Sequence, residues 1–286
     1  MNGDQDAITN GELGAMLRQV TQIARDAGAV IMRFYEAGNA AVHIKSDGTP
    51  WTDADLASSD VIETRLKAVT SGVTFVSEEN DADPCGQSLY WVIDPLDGTQ
   101  EFIDRTGGFA VKIALIHHNQ PVLGVVYAPV FNTMYTGLRD GLAMRQTGRK
   151  EPKHLSVRDT GKYDLRVLFN QTHADRALYD EQRERFRNSG VKLPEDPYIY
   201  PGLPRNLLVA EGLADFNVMT GRDATLRGGG YEWDNAPDWL LLRNAGGALL
   251  RLSDGAPLTF GDPRQRMPSY IAIGDKNLGK KLFPEP

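Results

Sequence analysis

One cysteine, Cys85, stands in a chain of 286 residues, so no intramolecular disulfide can form. That usage suits a reducing compartment. Cys85 has no basic loop around it, which argues against a cysteine nucleophile. Histidine is scarce. His43, His117, His118, His154 and His173 all fall outside the acid-rich segments, so a phosphohistidine mechanism has no placed nucleophile. No apolar run approaches the ~18 residues of a membrane span. Residues 1–14 have neither a basic region nor an apolar run, so no signal peptide is expected. Positive charge is in deficit: 31 Lys and Arg against 38 Asp and Glu give a net charge of −7. That balance argues against a global nucleic-acid binder and against a membrane-surface protein. It leaves room for a phosphorylated substrate, because bound cations reverse a local field. A soluble cytoplasmic protein is expected.

The remainder is ordinary for a globular enzyme, with 41% hydrophobic and 24% charged residues. Leu13, Val20, Ile23, Ala27, Ile31 and Phe34 recur at helical spacing and predict a long amphipathic helix. A short strand is expected near residues 42–45. Thr52 precedes Asp53 and Asp55, the pattern of an N-cap and an acidic first turn. That helix continues to about Thr70. Short β-rich runs follow at 73–77, 90–94, 110–117, 122–127 and 134–137, which predicts a sheet with antiparallel hairpins. Past Gly148 the pattern changes. Strands are expected at 166–170 and 214–219, and helices at 174–189, 207–212 and 233–244. The last helix is stopped by Ala245-Gly246-Gly247. A boundary near residue 150 follows from this change of pattern.

Four acidic segments carry the chemistry. Ser77-Glu78-Glu79 ends an apolar strand. In Asp94-Pro95-Leu96-Asp97-Gly98-Thr99 a strand ends in Asp94, the proline is expected to stop the ladder, and Gly98 permits a tight turn. Asp94 and Asp97 can then aim at one point, and hard divalent cations want several oxygens at once. The backbone N–H groups of Gly98 and Thr99 can meet a phosphate if a helical turn starts there. Asp234 lies in the first turn of a buried helix. Asp55 is either an ordinary first-turn acid or a group that orients a hydroxyl such as that of Thr99.

The ordered set of Thr52-Asp53-Ala54-Asp55, Ser77-Glu78-Glu79, Asp94 to Thr99, and Trp233-Asp234 followed by Ala245-Gly246-Gly247 resembles the inositol monophosphatase superfamily of lithium-sensitive, magnesium-dependent phosphatases. The extensions Gln100 to Ile103 and Pro121 to Pro129 look most like its bisphosphate nucleotidase branch, the CysQ type. The resemblance implies a layered αβαβα sandwich of the α/β class. Residues 1–150 would form an N-terminal α+β metal-binding half, and residues 151–286 a C-terminal α/β half that supplies Asp234 and the specificity wall. It implies two or three Mg²⁺. Glu78, Asp94 and the Leu96 carbonyl would hold the first, Asp94, Asp97 and Asp234 the second, and Glu78 would share a third. Thr99, oriented by Asp55, would help activate water, with Glu78 also in the catalytic set, in a two-metal phosphoryl transfer to water. Asp97, Gly98, Thr99 and Asp234 would also contact the substrate, a small phosphorylated molecule. Homodimerisation is common among relatives.

The C-terminal half departs most from that family. Tyr200 to Asn206 stands where relatives carry a lysine-bearing stretch, so Arg205 is a candidate phosphate clamp. Arg222, Arg227 and Gly228-Gly229-Gly230 are a candidate wall around a sugar or second phosphate. Tyr198 and Tyr200 either stack on a base or pack in the core. Lys112 replaces an expected small or amide residue, and lies either near the metals or at an edge. The leading expectation is hydrolysis of 3′-phosphoadenosine 5′-phosphate. The alternatives are an inositol-1-monophosphatase or another sugar or histidinol phosphate phosphatase, and a regulatory binding protein on the same fold.

Overall fold

The computed structural model describes residues 8–283 except 47, 81, 85, 161–164, 170–179, 182, 185, 193, 195–203 and 220–227. Cys85, Tyr198, Tyr200, Arg222 and Arg227 therefore lie outside the described residues, as does the first part of the helix expected over 174–189.

The first helix, α1 (Asn10–Ala37), begins with a reciprocal cap. Thr9 Oγ1 accepts from the Glu12 amide at 3.2 Å, and Glu12 Oε2 accepts from the Thr9 amide at 2.8 Å. It ends at Gly38 in the left-handed region. A small antiparallel hairpin, β1 (Val42–Ile44) and β2 (Pro50–Thr52), leads into α2 (Asp53–Val69).

A seven-stranded sheet follows in sequence order: β3 (Thr74–Ser77), β4 (Leu89–Asp97), β5 (Ala110–His117), β6 (Gln120–Ala128), β7 (Thr133–Leu138), β8 (Met144–Thr147) and β9 (Lys153–His154). The β3–β4 pair is parallel and the other neighbours are antiparallel, as hairpin-rich sequence predicts. Between β4 and β5 lies the short α3 (Thr99–Ile103). A second, four-stranded sheet has the order β10 (Val167–Phe169), β11 (Phe216–Met219), β13 (Tyr270–Ile273), β12 (Ala248–Arg251). Helices α4 (Arg205–Ala210), α5 (Glu232–Asn244) and α6 (Lys276–Leu282) accompany it. The helix expected at 207–212 thus starts two residues earlier, at Arg205.

Strand alternation sorts the side chains into layers. On β4, Trp91 and Ile93 face α1 and α2, while Tyr90 and Val92 face α4 and α5. On β13, Tyr270 and Ala272 face those same two helices, while Ile271 and Ile273 face α6. The result is an αβαβα sandwich. Its central helical layer packs between the two sheets, and the cluster around it draws residues from both sides of position 150, including Val92, Leu208, Ala236 and Tyr270. A fully buried Val or Leu side chain in that cluster stabilises by roughly 1.5–3 kcal/mol. The helix α5 lies close against the large sheet because Gly124 and Gly137 are paired across β6 and β7. A Cβ on Gly124 would come within 3.1 Å of the Pro237 backbone. That close seat brings the first turn of α5 over the end of β4.

Candidate active site

Pro95 does not stop the strand ladder as the sequence suggests. Asp94 pairs with Lys112 and Asp97 pairs with Ala110, so one extra residue bulges out of β4 between them. The bulge has a chemical consequence. Residues three apart on a regular strand point to opposite faces, and the extra residue cancels that alternation. Both carboxylates then reach the face covered by α5. The bulge is tied down locally: the Leu96 amide donates to Asp94 Oδ1 at 3.0 Å, and Ser58 on α2 donates to the Pro95 carbonyl at 2.8 Å.

Gly98 follows in the left-handed region at φ 92°, as the N-cap of α3. A Cβ there would come 2.9 Å from the Gly108 carbonyl, so the turn admits only glycine. It sets Thr99 on the first position of α3. Thr99 Oγ1 donates to Asp55 Oδ1 at 3.0 Å and lies 3.3 Å from the Leu96 carbonyl. The other Asp55 oxygen accepts the Thr52 amide at 2.8 Å and the Thr52 hydroxyl at 2.6 Å. Asp55 is therefore both the N3 acid of the capping box with Thr52 and the partner of Thr99. The two sequence alternatives are one geometry.

Asp234 arrives from α5. Its Oδ2 accepts the Tyr231 amide at 2.6 Å. Gly230, at φ 73°, lies directly against it, since a Cβ there would meet Asp234 Oδ2. Glu232, one residue before Trp233 and buried, accepts the Tyr90 hydroxyl at 2.8 Å and the Asp262 amide at 2.9 Å. That bond pins the helix start to β4. One carboxylate oxygen each from Asp94, Asp97 and Asp234 lie within 4.8 Å of one another.

Lys112 is buried in this group, at 4% exposure on a central strand. Its Nζ donates to the Asp234 carbonyl at 2.8 Å and lies 2.9 Å from Asp97 Oδ2 and 3.2 Å from Asp238 Oδ2. Asp238 also accepts from Asn206 Nδ2 at 3.1 Å. At the rim, Lys45 Nζ donates to Glu78 Oε1 at 2.8 Å and to Glu79 Oε1 at 2.9 Å. The loop beyond Glu79 is held from the far half of the chain by Arg264. Its guanidinium donates to the Ala82 carbonyl at 2.8 Å and the Asn80 carbonyl at 2.6 Å, and lies over the Trp233 ring.

The electrostatics follow from burial of like charges. Burial pushes Asp94 well above the ordinary carboxylate range, and Glu78, Asp97 and Asp234 add to the effect against Lys112. Asp234 is pushed up to about 7 by burial, with Asp97 and Glu78 adding to it. Glu78 is raised by burial although Lys45 opposes. Asp55 is raised by burial against the hydrogen bonds from Thr52 and Thr99. For Lys112 burial acts downward, and Asp238, Asp97 and Asp234 together override it, so the ammonium is held well above its usual value. Three carboxylates that resist sharing one small volume are a fit for a hard cation with oxygen ligands.

Of the residues expected from sequence, Asp94, Asp97, Asp234, Thr99, Gly98, Leu96 and Asp55 meet at this point. Glu78 stands beside them, engaged with Lys45. Arg205 starts α4 with its guanidinium 4.0 Å from Glu101 of α3. Arg227 lies outside the described residues. Asp238, Asn206, Lys45 and Arg264 had not been singled out as parts of the site. Asp238 follows Asp234 by one helical turn, a spacing that puts both on one face. Arg264 left no comparable signal.

Fold and site together define a layered phosphatase-type sandwich with an acidic centre between its sheets. The chain belongs to the inositol monophosphatase family, whose model matches residues 13–282. It is 44% identical over 170 residues to the Escherichia coli protein named 3′(2′),5′-bisphosphate nucleotidase CysQ, a match covering 57% of this chain and 66% of that protein. It is 33% identical over 280 residues to the Haemophilus influenzae protein of the same name, covering 92% of this chain and 94% of that one. Among solved structures, CysQ from Bacteroides thetaiotaomicron aligns with TM-score 0.73 at 25% identity, covering 92% of this chain and 97% of that one.

Proposed function

We propose that this chain is a Mg²⁺-dependent phosphomonoesterase, and specifically a 3′(2′),5′-bisphosphate nucleotidase that hydrolyses 3′-phosphoadenosine 5′-phosphate to AMP and phosphate. The observation that carries the phosphatase assignment is the meeting of Asp94, Asp97 and Asp234 beside the Thr99–Asp55 hydrogen bond. The nucleotidase assignment is supported by the two relatives of that name, at 44% and 33% identity.

Asp94, Asp97, Asp234, Glu78 and the Leu96 carbonyl would hold two or three Mg²⁺. The bound ions supply positive charge for the phosphoryl oxygens and make a water more acidic. The remaining steps belong to the protein. Thr99 gives its own hydroxyl proton to the bond with Asp55. Its lone pairs are then free to receive a proton from a water aimed at phosphorus. Asp55, raised by burial, is a stronger base than an exposed aspartate and is the final acceptor of that relay. Asp55 keeps its orientation because Thr52 fills its other oxygen. No covalent intermediate is needed, so positioning and charge neutralisation carry the rate.

Arg205 stands beside α3 and would contact a substrate phosphate. Arg227 would contribute to the substrate wall, and the protein would work in the cytoplasm, as a monomer or a homodimer. A panel of 3′-phosphoadenosine 5′-phosphate, inositol 1-phosphate, histidinol phosphate and fructose 1,6-bisphosphate tests the substrate. The adenosine bisphosphate should have the highest kcat/KM. Equal or slower turnover of it would overturn the nucleotidase assignment, and hydrolysis of none of the four with Mg²⁺ present would overturn the phosphatase assignment.

A further inference from the structure

Four carboxylates, those of Asp94, Asp97, Asp234 and Asp238, gather where β4, β5 and the first two turns of α5 meet. Among the described residues, Lys112 is the cation placed among them. Its three N–H groups face three oxygens: Asp97 Oδ2 at 2.9 Å, Asp238 Oδ2 at 3.2 Å and the Asp234 carbonyl at 2.8 Å. Each of those contacts does something different. The first fixes one oxygen of Asp97, which sits at the less buried edge of the group, at 30% side-chain exposure. The second neutralises a carboxylate one turn further along α5, beyond the three that converge. The third grips the backbone of Asp234 and so ties the start of α5 to the middle of β5.

The Asp238 contact also extends the grip. Asn206 Nδ2 donates to Asp238 Oδ2 at 3.1 Å, and Asn206 Oδ1 accepts from Asn217 Nδ2 at 2.8 Å. One buried chain of polar groups therefore runs from the large sheet through α5 and α4 to the small sheet. A sequence that needed only bulk at position 112 would use an apolar residue, as its neighbours Val111 and Ile113 do. A buried ammonium is tolerated only where it is paired.

We infer that Lys112 is a built-in counter-ion and a positioning residue, which keeps Asp97 and Asp234 assembled when no metal is bound. The inference rests on the metal-site assignment above. It makes the metal-free protein pre-organised: the carboxylates do not need Mg²⁺ to be brought together, only to be filled. Without the ammonium, the same carboxylates would repel one another until a divalent ion arrives.

The test is the melting temperature of wild type, Lys112→Met and Lys112→Gln, each in chelator and in saturating Mg²⁺. For the variants, the metal-free form should melt about 10 °C lower than wild type, as expected when buried charges lose their partner. With Mg²⁺ the deficit should be less than half of that. The stabilisation gained on adding Mg²⁺ thus widens. If Lys112 only fills space, both forms drop equally and the Mg²⁺ increment stays at the wild-type value, which overturns the inference. The double variant Lys112→Met with Asp238→Asn separates the partners. A wide Mg²⁺ increment that persists there supports a role toward Asp97 and Asp234, whereas a return to the wild-type increment shows that Asp238 alone needed the ammonium and overturns it. Should Lys112→Met fail to fold in both buffers, Lys112→Gln, which keeps a hydrogen-bond donor without the charge, decides by the same comparison. If Mg²⁺ does not stabilise even the wild type, the metal-site assignment itself fails, a result distinct from the loss of the Lys112 effect.

Discussion

Thr99 and Asp55 share a hydrogen bond of 3.0 Å that joins the first turns of two helices 44 residues apart in sequence. The same aspartate caps α2 through Thr52, so fold and chemistry depend on one carboxylate.

That double use predicts separable effects. Thr99→Val should lower kcat by about 10²–10⁴-fold, the range of a lost proton relay, with Mg²⁺ affinity unchanged and Thr99→Ser largely active. Asp55→Asn should lower kcat comparably and also weaken the cap, costing about 1 kcal/mol and roughly 2–4 °C of melting temperature. Steady-state phosphate release and thermal melts check the pair. A normal kcat in Thr99→Val would remove Thr99 from the chemistry.

Asp94→Asn trades function for stability. The amide removes a buried charge that Asp97, Asp234 and Glu78 repel. In chelator the variant should melt at or above the wild-type temperature. It should also lose the stabilisation by Mg²⁺ and nearly all activity. Calorimetric titration with Mg²⁺ that still shows wild-type heats would rule out Asp94 as a ligand.

The pH dependence has a definite sign. Asp234 is raised from 3.8 to about 7 in the folded protein, and Asp94 and Glu78 are raised as well. A folded-state pKa above the unfolded value means that the native protein holds protons the unfolded chain releases. Their contribution is fully present below the unfolded values and is lost as pH rises through the folded ones. The metal-free protein should therefore lose melting temperature between about pH 5 and pH 8. Saturating Mg²⁺ should flatten that slope, and apparent Mg²⁺ affinity should rise about tenfold per pH unit below 7 if one proton is displaced. A flat metal-free profile over this range would contradict it.

Arg264 offers a test from outside the acidic centre. Its guanidinium holds the carbonyls of Asn80 and Ala82, just beyond Glu78 and Glu79. Arg264→Ala should raise the Mg²⁺ concentration for half-maximal activity several-fold while kcat at saturating Mg²⁺ stays near wild type. Arg264→Lys should not restore it, since one ammonium cannot span both carbonyls in the way a planar fork does. An unchanged Mg²⁺ activation curve would show that the loop needs no such clamp.

Much of this site is legible along the chain because its parts are local. A carboxylate at a strand end, a glycine that must take positive φ, and a threonine that caps a helix each leave a short-range signature. So Asp94, Gly98, Thr99, Thr52 and Asp55 stand out from their neighbours, and the ordered acidic set marks the family. The bulge at Pro95 and Leu96 was not legible, because proline in a strand reads as a stop unless the partner strand is known. Only the register against β5, with Asp94 opposite Lys112 and Asp97 opposite Ala110, turns both carboxylates to one face. Lys112 itself was ambiguous for the same reason. An alternating strand tells which residues share a face, but not whether that face meets water or a helix. The answer came from α5, seated over Gly124, which closes the face and sets Asp234 and Asp238 beside the ammonium, with Asp97 reaching it from β4. The residue types and their spacing thus determined which groups do chemistry. Long-range packing decided which of them meet, since contacts between segments more than a hundred residues apart leave no local pattern to read.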